Sequence, residues 1–184
     1  MLSNSVKILL QPVGSLSLNI LKILENNLPE QFVNSNFVLG NTLQLPSHAF
    51  NAIKNQYFSP KIISWIHDKN KGSSYQKILG ICDVNAYTGR LNFIFGEAQH
   101  GGKIAVIYLT RLREELKGVL DEDVFLQRVL KEAVHELGHL FGLIHCKTPS
   151  CVMYFSNSLA DTDLKDSKFC SKCKTKLISF ENKL

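Results

Sequence analysis

The eleven residues His135-Glu136-Leu137-Gly138-His139-Leu140-Phe141-Gly142-Leu143-Ile144-His145 restrict the chain more than any other stretch. Residues four apart on an α-helix stand one turn above each other, so the imidazoles of His135 and His139 reach one point, with the carboxylate of Glu136 beside them. The surrounding pattern supplies that helix. Asp121 or Asp123 can cap its start, acidic residues fill its first turn, and apolar residues recur at Leu126, Val129, Leu130, Ala133, Val134, Leu137, Leu140 and Phe141. Arg128, Lys131 or Glu132, His135 and His139 form a polar stripe on another side, expected to face a cleft or solvent. Gly142 is placed to end the helix in a left-handed turn, which a residue with a side chain resists, and the reversal can bring His145 to the same point. Three neutral nitrogen donors leave a tetrahedral zinc ion one open position, the arrangement of a reactive rather than a structural site. From the chain's own His and Glu frequencies, a chance H-E-x-x-H match arises roughly once in 100 such chains, and the full run with Gly142 and His145 roughly once in 50,000.

Four of the five cysteines, Cys146, Cys151, Cys170 and Cys173, fall in about the last fifth of the chain. Their spacing, C-x4-C and then C-x2-C, is that of paired zinc knuckles. Thiolates are soft ligands that suit zinc, and four of them close its coordination sphere, so this second site is expected to be structural. Two disulfides conflict with a reducing compartment, and free buried thiols do not explain two clustered pairs. Beyond Leu143 the apolar periodicity vanishes, and the loop-rich, lysine-rich tail needs such a staple to fold. Cys82 lies in an apolar run and reads as a small buried hydrophobe. The formal net charge is +5. Lys165, Lys168, Lys172, Lys174 and Lys176 crowd around a zinc–thiolate site of net negative charge, so compensation and solvation account for them, and nucleic acid is not an expected partner. Asp161, Asp163 and Asp166 mix with lysines and read as a solvated loop.

The remainder of the 184 residues sets the frame. Hydrophobic residues at 45 % and charged residues at 20 % exclude wholesale disorder and suffice for one core. No apolar run approaches the ~18 residues a membrane span requires, and residues 1–14 lack a secretory leader pattern, so a cytoplasmic protein with no membrane partner is expected. Strands are expected over residues 6–11, over 37–39 and onward toward 45, and over 77–84, 91–96 and 103–110. A helix capped by Ser17 is expected to run to Leu28, and another to start at Pro60. Clustered strands after two helices argue for an α+β fold, a mixed sheet with helices against it. One domain is expected, with the sheet and the long helix in residues 1–142 and the cysteine-stapled subdomain in 143–184. His48 and His67 read as surface or helix-end residues, and His100 as a plain loop histidine.

The extended histidine run resembles the signature of the metzincin clan of zinc peptidases and, within it, the archaemetzincins. In that family the zinc motif is followed at once by a cysteine, then a second cysteine, a methionine and a terminal C-x-x-C. Here these are His145-Cys146, Cys151-Val152-Met153 and Cys170-Ser171-Lys172-Cys173. The match spans residues 134–173, residues 91–112 look family-like, and the first ninety carry a general likeness only. The resemblance implies a zincin-like mixed sheet with a backing helix and an active-site helix, and two Zn2+ ions per chain. One would be held by His135, His139 and His145, the other by the four cysteines. Zinc at the histidines would polarise a scissile carbonyl and acidify its water. Glu136 would accept that water's proton and pass it to the leaving amine. Met153 would lie beneath the metal as packing, with Gly142 as the structural turn. Tyr154 directly follows Met153, and no metal-assisting role carries over to it. The expected function is zinc-dependent hydrolysis of short or unfolded peptides, since the chain has no room for an inhibitory pro-segment and needs a narrow cleft as its restraint. The alternative is a catalytically silent two-zinc binding module, against which Glu136 counts, because a structural site needs no base. Neither the oligomeric state nor a side-chain preference follows.

Overall fold

In the computed structural model, which describes residues 5–89, 91–113 and 121–183, a five-stranded sheet forms from β1 (Val6–Val13), β2 (Ser35–Leu39), β5 (Lys77–Cys82), β8 (Gly96–Ala98) and β9 (Ile104–Tyr108). Their order is β2-β1-β5-β9-β8, parallel throughout except for β8, which lies antiparallel to β9 at one edge. The apolar runs are continuous because helices cover both faces. Side chains alternate accordingly. Ile8, Leu10, Leu79, Ile81, Ala105 and Ile107 enter one core, and Leu9, Ile78, Cys82, Ile104, Val106 and Tyr108 the other. The first core is closed by α1 (Leu18–Gln31) and α3 (Glu122–Leu140), the second by α2 (Ser59–Lys69). Gly80 belongs to this packing, since a Cβ there would lie 2.5 Å from Ile66 Cδ1 on α2.

The expected α+β architecture is present, with different boundaries. Ser17 precedes α1 but makes no side-chain cap, and the helix passes Leu28 and Pro29 to reach Gln31. Phe32 accounts for the extension: its amide closes the last turn on Leu28 O, and its buried ring packs against Phe37, Phe141 and Phe169. β2 stops at Leu39, and Leu43 makes only an isolated bridge to Val13. The single strand expected over 91–96 is divided. β7 (Leu91–Ile94) joins β3 (Phe50–Asn51), β4 (Gln56–Phe58) and β6 (Ala86–Thr88) in a second sheet of order β3-β4-β6-β7, whereas Gly96 opens β8. Strands of 2 to 4 residues carry too little alternation to be read in advance.

The C-terminal segment departs furthest from expectation. It folds into α4 (Leu159–Leu164), closed by a capping box between Ser158 and Asp161, and α5 (Ser171–Glu181). It also contributes Val152, Met153 and Leu177 to the first core. The tail lies over the polar stripe of α3 and buries it, leaving Arg128 2 % and Glu132 4 % exposed. Arg128 Nε and Nη2 donate to the two carboxylate oxygens of Asp163, each at 2.7 Å, and Lys165 Nζ meets Glu132 Oε1 at 3.3 Å. Asp163 and Lys165 are therefore not solvated loop charges, and Lys165 is paired with Glu132. Charges on a buried helix face demand opposite charges laid against them. Asp161 is likewise engaged, accepting from the Ser158 amide to cap α4.

Asp163→Ala removes both charge-assisted bonds to the buried Arg128 guanidinium. Urea unfolding of that variant is expected to show a loss of about 2–3 kcal/mol, and an unchanged midpoint would show that the pair does not fasten the tail.

Candidate active site

Asp121 starts α3 by accepting from the amides of Asp123 and Val124. The helix ends as a Schellman turn: the Gly142 amide donates to His139 O at 2.9 Å, the Leu143 amide to Gly138 O at 3.0 Å, and Gly142 sits at φ +88°. The chain reverses there and returns His145 with its ring centroid 5.4 Å from that of His135 and 4.9 Å from that of His139. The ring nitrogens offered by the three residues all lie within 4.8 Å of one another.

Backbone carbonyls orient two of the rings. His135 Nδ1 lies 2.8 Å from Val152 O, and His139 Nδ1 2.7 Å from Leu143 O. A carbonyl oxygen only accepts, so each Nδ1 carries the hydrogen and each Nε2 keeps its lone pair. These two Nε2 atoms stand 3.1 Å apart. Lone pairs so close repel unless a cation lies between them, and Zn–N bonds of about 2.0–2.1 Å give a tetrahedral edge of about 3.3 Å. Burial pushes the pKa of His135 well down, that of His139 to about 4, and that of His145 down as well. All three rings are thus held in the neutral form that ligates metals.

Glu136 is 6 % exposed, and burial, reinforced by the neighbouring Glu132 and Glu97, raises its pKa well above the ordinary range. A cation at the imidazoles would oppose that shift. No hydrogen bond among the described residues holds its carboxylate. β8 crosses directly over it, and a Cβ at Gly96 would lie 2.5 Å from Glu136 Oε1. On the underside of α3 a Cβ at Gly138 would lie 2.5 Å from Met153 Sδ, and Met153 is fully buried. Met153 therefore packs under the turn that carries the two helical histidines. Gly96 and Gly138 escaped the sequence reading, although glycine inside a strand or a helix is itself a signal of close approach.

The four thiol sulfurs of Cys146, Cys151, Cys170 and Cys173 also lie within 4.8 Å of one another. Cys146 Sγ and Cys170 Sγ are 3.8 Å apart, far beyond a disulfide bond. Zn–S bonds of about 2.3 Å give a tetrahedral edge of about 3.8 Å. Backbone amides already address the sulfurs, Thr148 N to Cys146 Sγ at 3.4 Å and Cys170 N to Cys151 Sγ at 3.3 Å. Cys170 stands at the N-terminal boundary of α5, without a side-chain capping bond, and Cys173 lies in its first turn, where the helix dipole favours thiolate. Burial opposes ionisation of Cys146, but hydrogen bonds from Thr148 outweigh it and bring the pKa to about 7. Burial raises the pKa of Cys151 and Cys173. Cys82 is fully buried in the second core with its thiol pushed up by burial, an inert hydrophobe as expected.

A cleft of about 700 Å³ opens above the histidines. Residues 91–98 and His100 form one wall, Glu132, His135, Glu136 and His139 the floor, and Ile144, His145, Phe155, Ser156, Asn157 and Lys165 the other wall. His100 is more than a plain loop residue, because its ring lies 6.3 Å from that of His139 at the rim. Its loop is tied down by the Gly101 amide on His139 O and by Lys77 Nζ, which donates to Gly102 O and Leu140 O. His48 and His67 are exposed, as expected, and stand outside this cleft. Glu132 faces the cleft as the polar stripe of α3 implied, whereas Phe155, Ser156 and Lys165 were not anticipated as lining, since their places depend on how the tail docks.

Residues 6–179 match the sequence profile of Peptidase family M54, so the likeness extends well upstream of residue 91. The archaemetzincin of Methanocaldococcus jannaschii is 42 % identical over 173 residues, which is 94 % of this chain and 93 % of the relative. That of Pyrococcus abyssi is 38 % identical over 175 residues, 92 % of this chain and 93 % of the relative. The crystal structure of archaemetzincin from Methanopyrus kandleri superposes with a TM-score of 0.85 at 30 % identity, covering 98 % of this chain and 97 % of the other. The archaemetzincin structure from Archaeoglobus fulgidus, a complex with malonate, gives 0.79 at 35 % identity over 93 % and 99 % of the two chains. Among the described residues no helix is long and apolar enough to cross a membrane. Since the family match runs through both sheets and both ligand clusters, the chain belongs to peptidase family M54, the archaemetzincins, and is a zinc metallopeptidase.

Proposed function

We propose that the cleft hydrolyses peptide bonds with Glu136 as general base, that His135, His139 and His145 hold the zinc ion of the reaction, and that Cys146, Cys151, Cys170 and Cys173 hold a second, structural one. The observation that carries this reading is a buried carboxylate, bound by no donor among the described residues, beside imidazoles whose free nitrogens converge. A zinc ion there supplies Lewis acidity toward the scissile carbonyl and acidifies water. Glu136 takes the proton of the attacking water, and its desolvated carboxylate is a stronger base than a solvated one. Microscopic reversal of that transfer then delivers the proton to the leaving amine. Gly96 lets β8 pass close to Glu136 with no side chain striking the carboxylate, and the free edge of β8 offers backbone groups that align an extended peptide.

A cleft of about 700 Å³ lined from two sides supports short or unfolded peptides as substrates, because an extended chain reaches its floor more readily than a folded surface does. The need for four reduced thiols supports a reducing compartment such as the cytoplasm. Residues 1–142 are read as the unit that carries sheet and active-site helix, and 143–184 as the subdomain that supplies His145, the cysteines and one cleft wall.

Glu136→Gln is expected to keep the fold and both zinc equivalents while lowering kcat/KM on a peptide library by about 10²–10⁴-fold. Two zincs per chain with cleavage by neither protein would instead support the silent binding module. His145 and Cys146 are neighbours in different clusters, so Cys170→Ser is expected to loosen the tail and weaken zinc binding at the histidines by about 10-fold or more. Competition with a chelator measures this, and unchanged affinity at the histidine site would refute the coupling.

A further inference from the structure

The proposed reaction leaves one corner of the cleft unused. Glu132 stands one turn before Glu136 on α3, and Lys165 comes from the tail. Both line the cleft, although only 4 % and 1 % exposed. Among the described residues Lys165 Nζ has two acceptors, Glu132 Oε1 at 3.3 Å and Tyr154 O at 3.4 Å. Both contacts exceed the about 2.7–2.9 Å of a charge-assisted bond, and the third ammonium hydrogen has no acceptor. Ser156 lines the same wall, and its buried hydroxyl has no hydrogen-bond partner among the described residues. The same wall carries two open apolar side chains, Phe155 50 % and Ile144 66 % exposed, beside His145 and Asn157.

A buried ion pair held at such length is a poor structural device, since the desolvation of two charges outweighs a loose contact. The corner instead resembles a receptor with its ligand missing. It presents an acceptor in Glu132 and donors in Lys165 and Ser156, at no net charge. A neutral planar group with a carbonyl and an amino hydrogen side by side satisfies all of them. Its oxygen accepts from Lys165 and Ser156, and its NH2 donates to Glu132. A carboxylate would face Glu132 and an ammonium Lys165, while an apolar side chain would leave Ser156 and the slack pair unsatisfied. The apolar wall suits a methylene stem beneath the carboxamide.

We propose that Glu132, Lys165 and Ser156 form a specificity pocket that takes a glutamine side chain of the peptide. This rests on the cleft being a peptide site, and the test reads binding apart from turnover. The zinc-loaded protein carrying Glu136→Gln is titrated with hexapeptides in which Gln, Glu, Lys or Leu is scanned through each position. Expected is one position at which Gln binds about 10-fold more tightly than each of the other three. Adding Ser156→Ala, which leaves the charges in place, should erode that preference several-fold. Adding Glu132→Leu with Lys165→Met, an apolar replacement of the whole pair, should turn it toward Leu. A flat ranking, a ranking led by Glu or Lys, or a Gln preference that survives both changes would overturn the pocket. Cleavage by the unsubstituted enzyme is followed in parallel. No cleavage with the Gln ranking intact would count against hydrolysis in the cleft and leave the pocket standing.

Discussion

The backbone of residues 151–153 is held both by α3 and by the segment that returns after Gly142, and the placement of the two side-chain clusters follows from it. Val152 O accepts the Nδ1 hydrogen of His135 at 2.8 Å, and Met153 O accepts the Cys146 amide at 2.8 Å. The side chains flanking Val152 continue the grip, Met153 against Gly138 and Cys151 within the thiol cluster. A helical imidazole, the return strand after Gly142 and the cysteine knot are thus referenced to the same three peptide units. Partners behind a metal ligand fix its tautomer and direction, so the precision of the histidine cluster is borrowed from the tail.

That borrowing explains why α3 carries charge along a face that the tail largely covers. A helix buried on one side against a sheet and on another beneath a second segment retains charged residues only where the covering segment brings the opposite charge. Arg128 and Asp163 make a tight fork, with the guanidinium also on Leu112 O, and this end of the stripe is fully satisfied. Glu132 and Lys165, one turn closer to the histidines, are not drawn together to the same degree. The contrast along one helix separates a fastening from a site. The tight pair docks the tail, and the slack pair borders the cleft.

The parts that were legible in the sequence are those set by local spacing. H-E-x-x-H is a helical repeat, Gly142 a left-handed helix end, and the cysteine pairs a short-range pattern, and the structure brings each group together. The apolar runs of β1, β5 and β9 were legible because burial on both faces leaves unbroken hydrophobic stretches. The second sheet was not, because β3, β4, β6 and β7 are held by pairings between distant segments rather than by any pattern of their own. The charges of the tail misled for a related reason. Lysine and aspartate alternating near a chain end look the same whether they face water or a buried stripe, and only the docking of residues 158–165 decides. Gly96 and Gly138 occupy the middle ground, visible as glycines where none is wanted and explained only once Glu136 and Met153 lie against them.

The placement of the slack pair also constrains how selectivity and chemistry are connected. Glu132 and Glu136 are separated by four residues, just over one helical turn, a rise of about 6 Å. An extended peptide advances about 3.3 Å per residue, so a side chain seated at Glu132 belongs to a residue within about two positions of the bond over Glu136. Both groups stand on the same rigid helix, and the facing strand β8 hangs from β9 across its full length. The register between the recognised residue and the attacked bond is therefore set by helix geometry rather than by a mobile loop. In the proposed reaction, a substrate that fills the proposed corner would have its backbone positioned for proton transfer by the same contact, so preference at this pocket would belong as much in kcat as in KM.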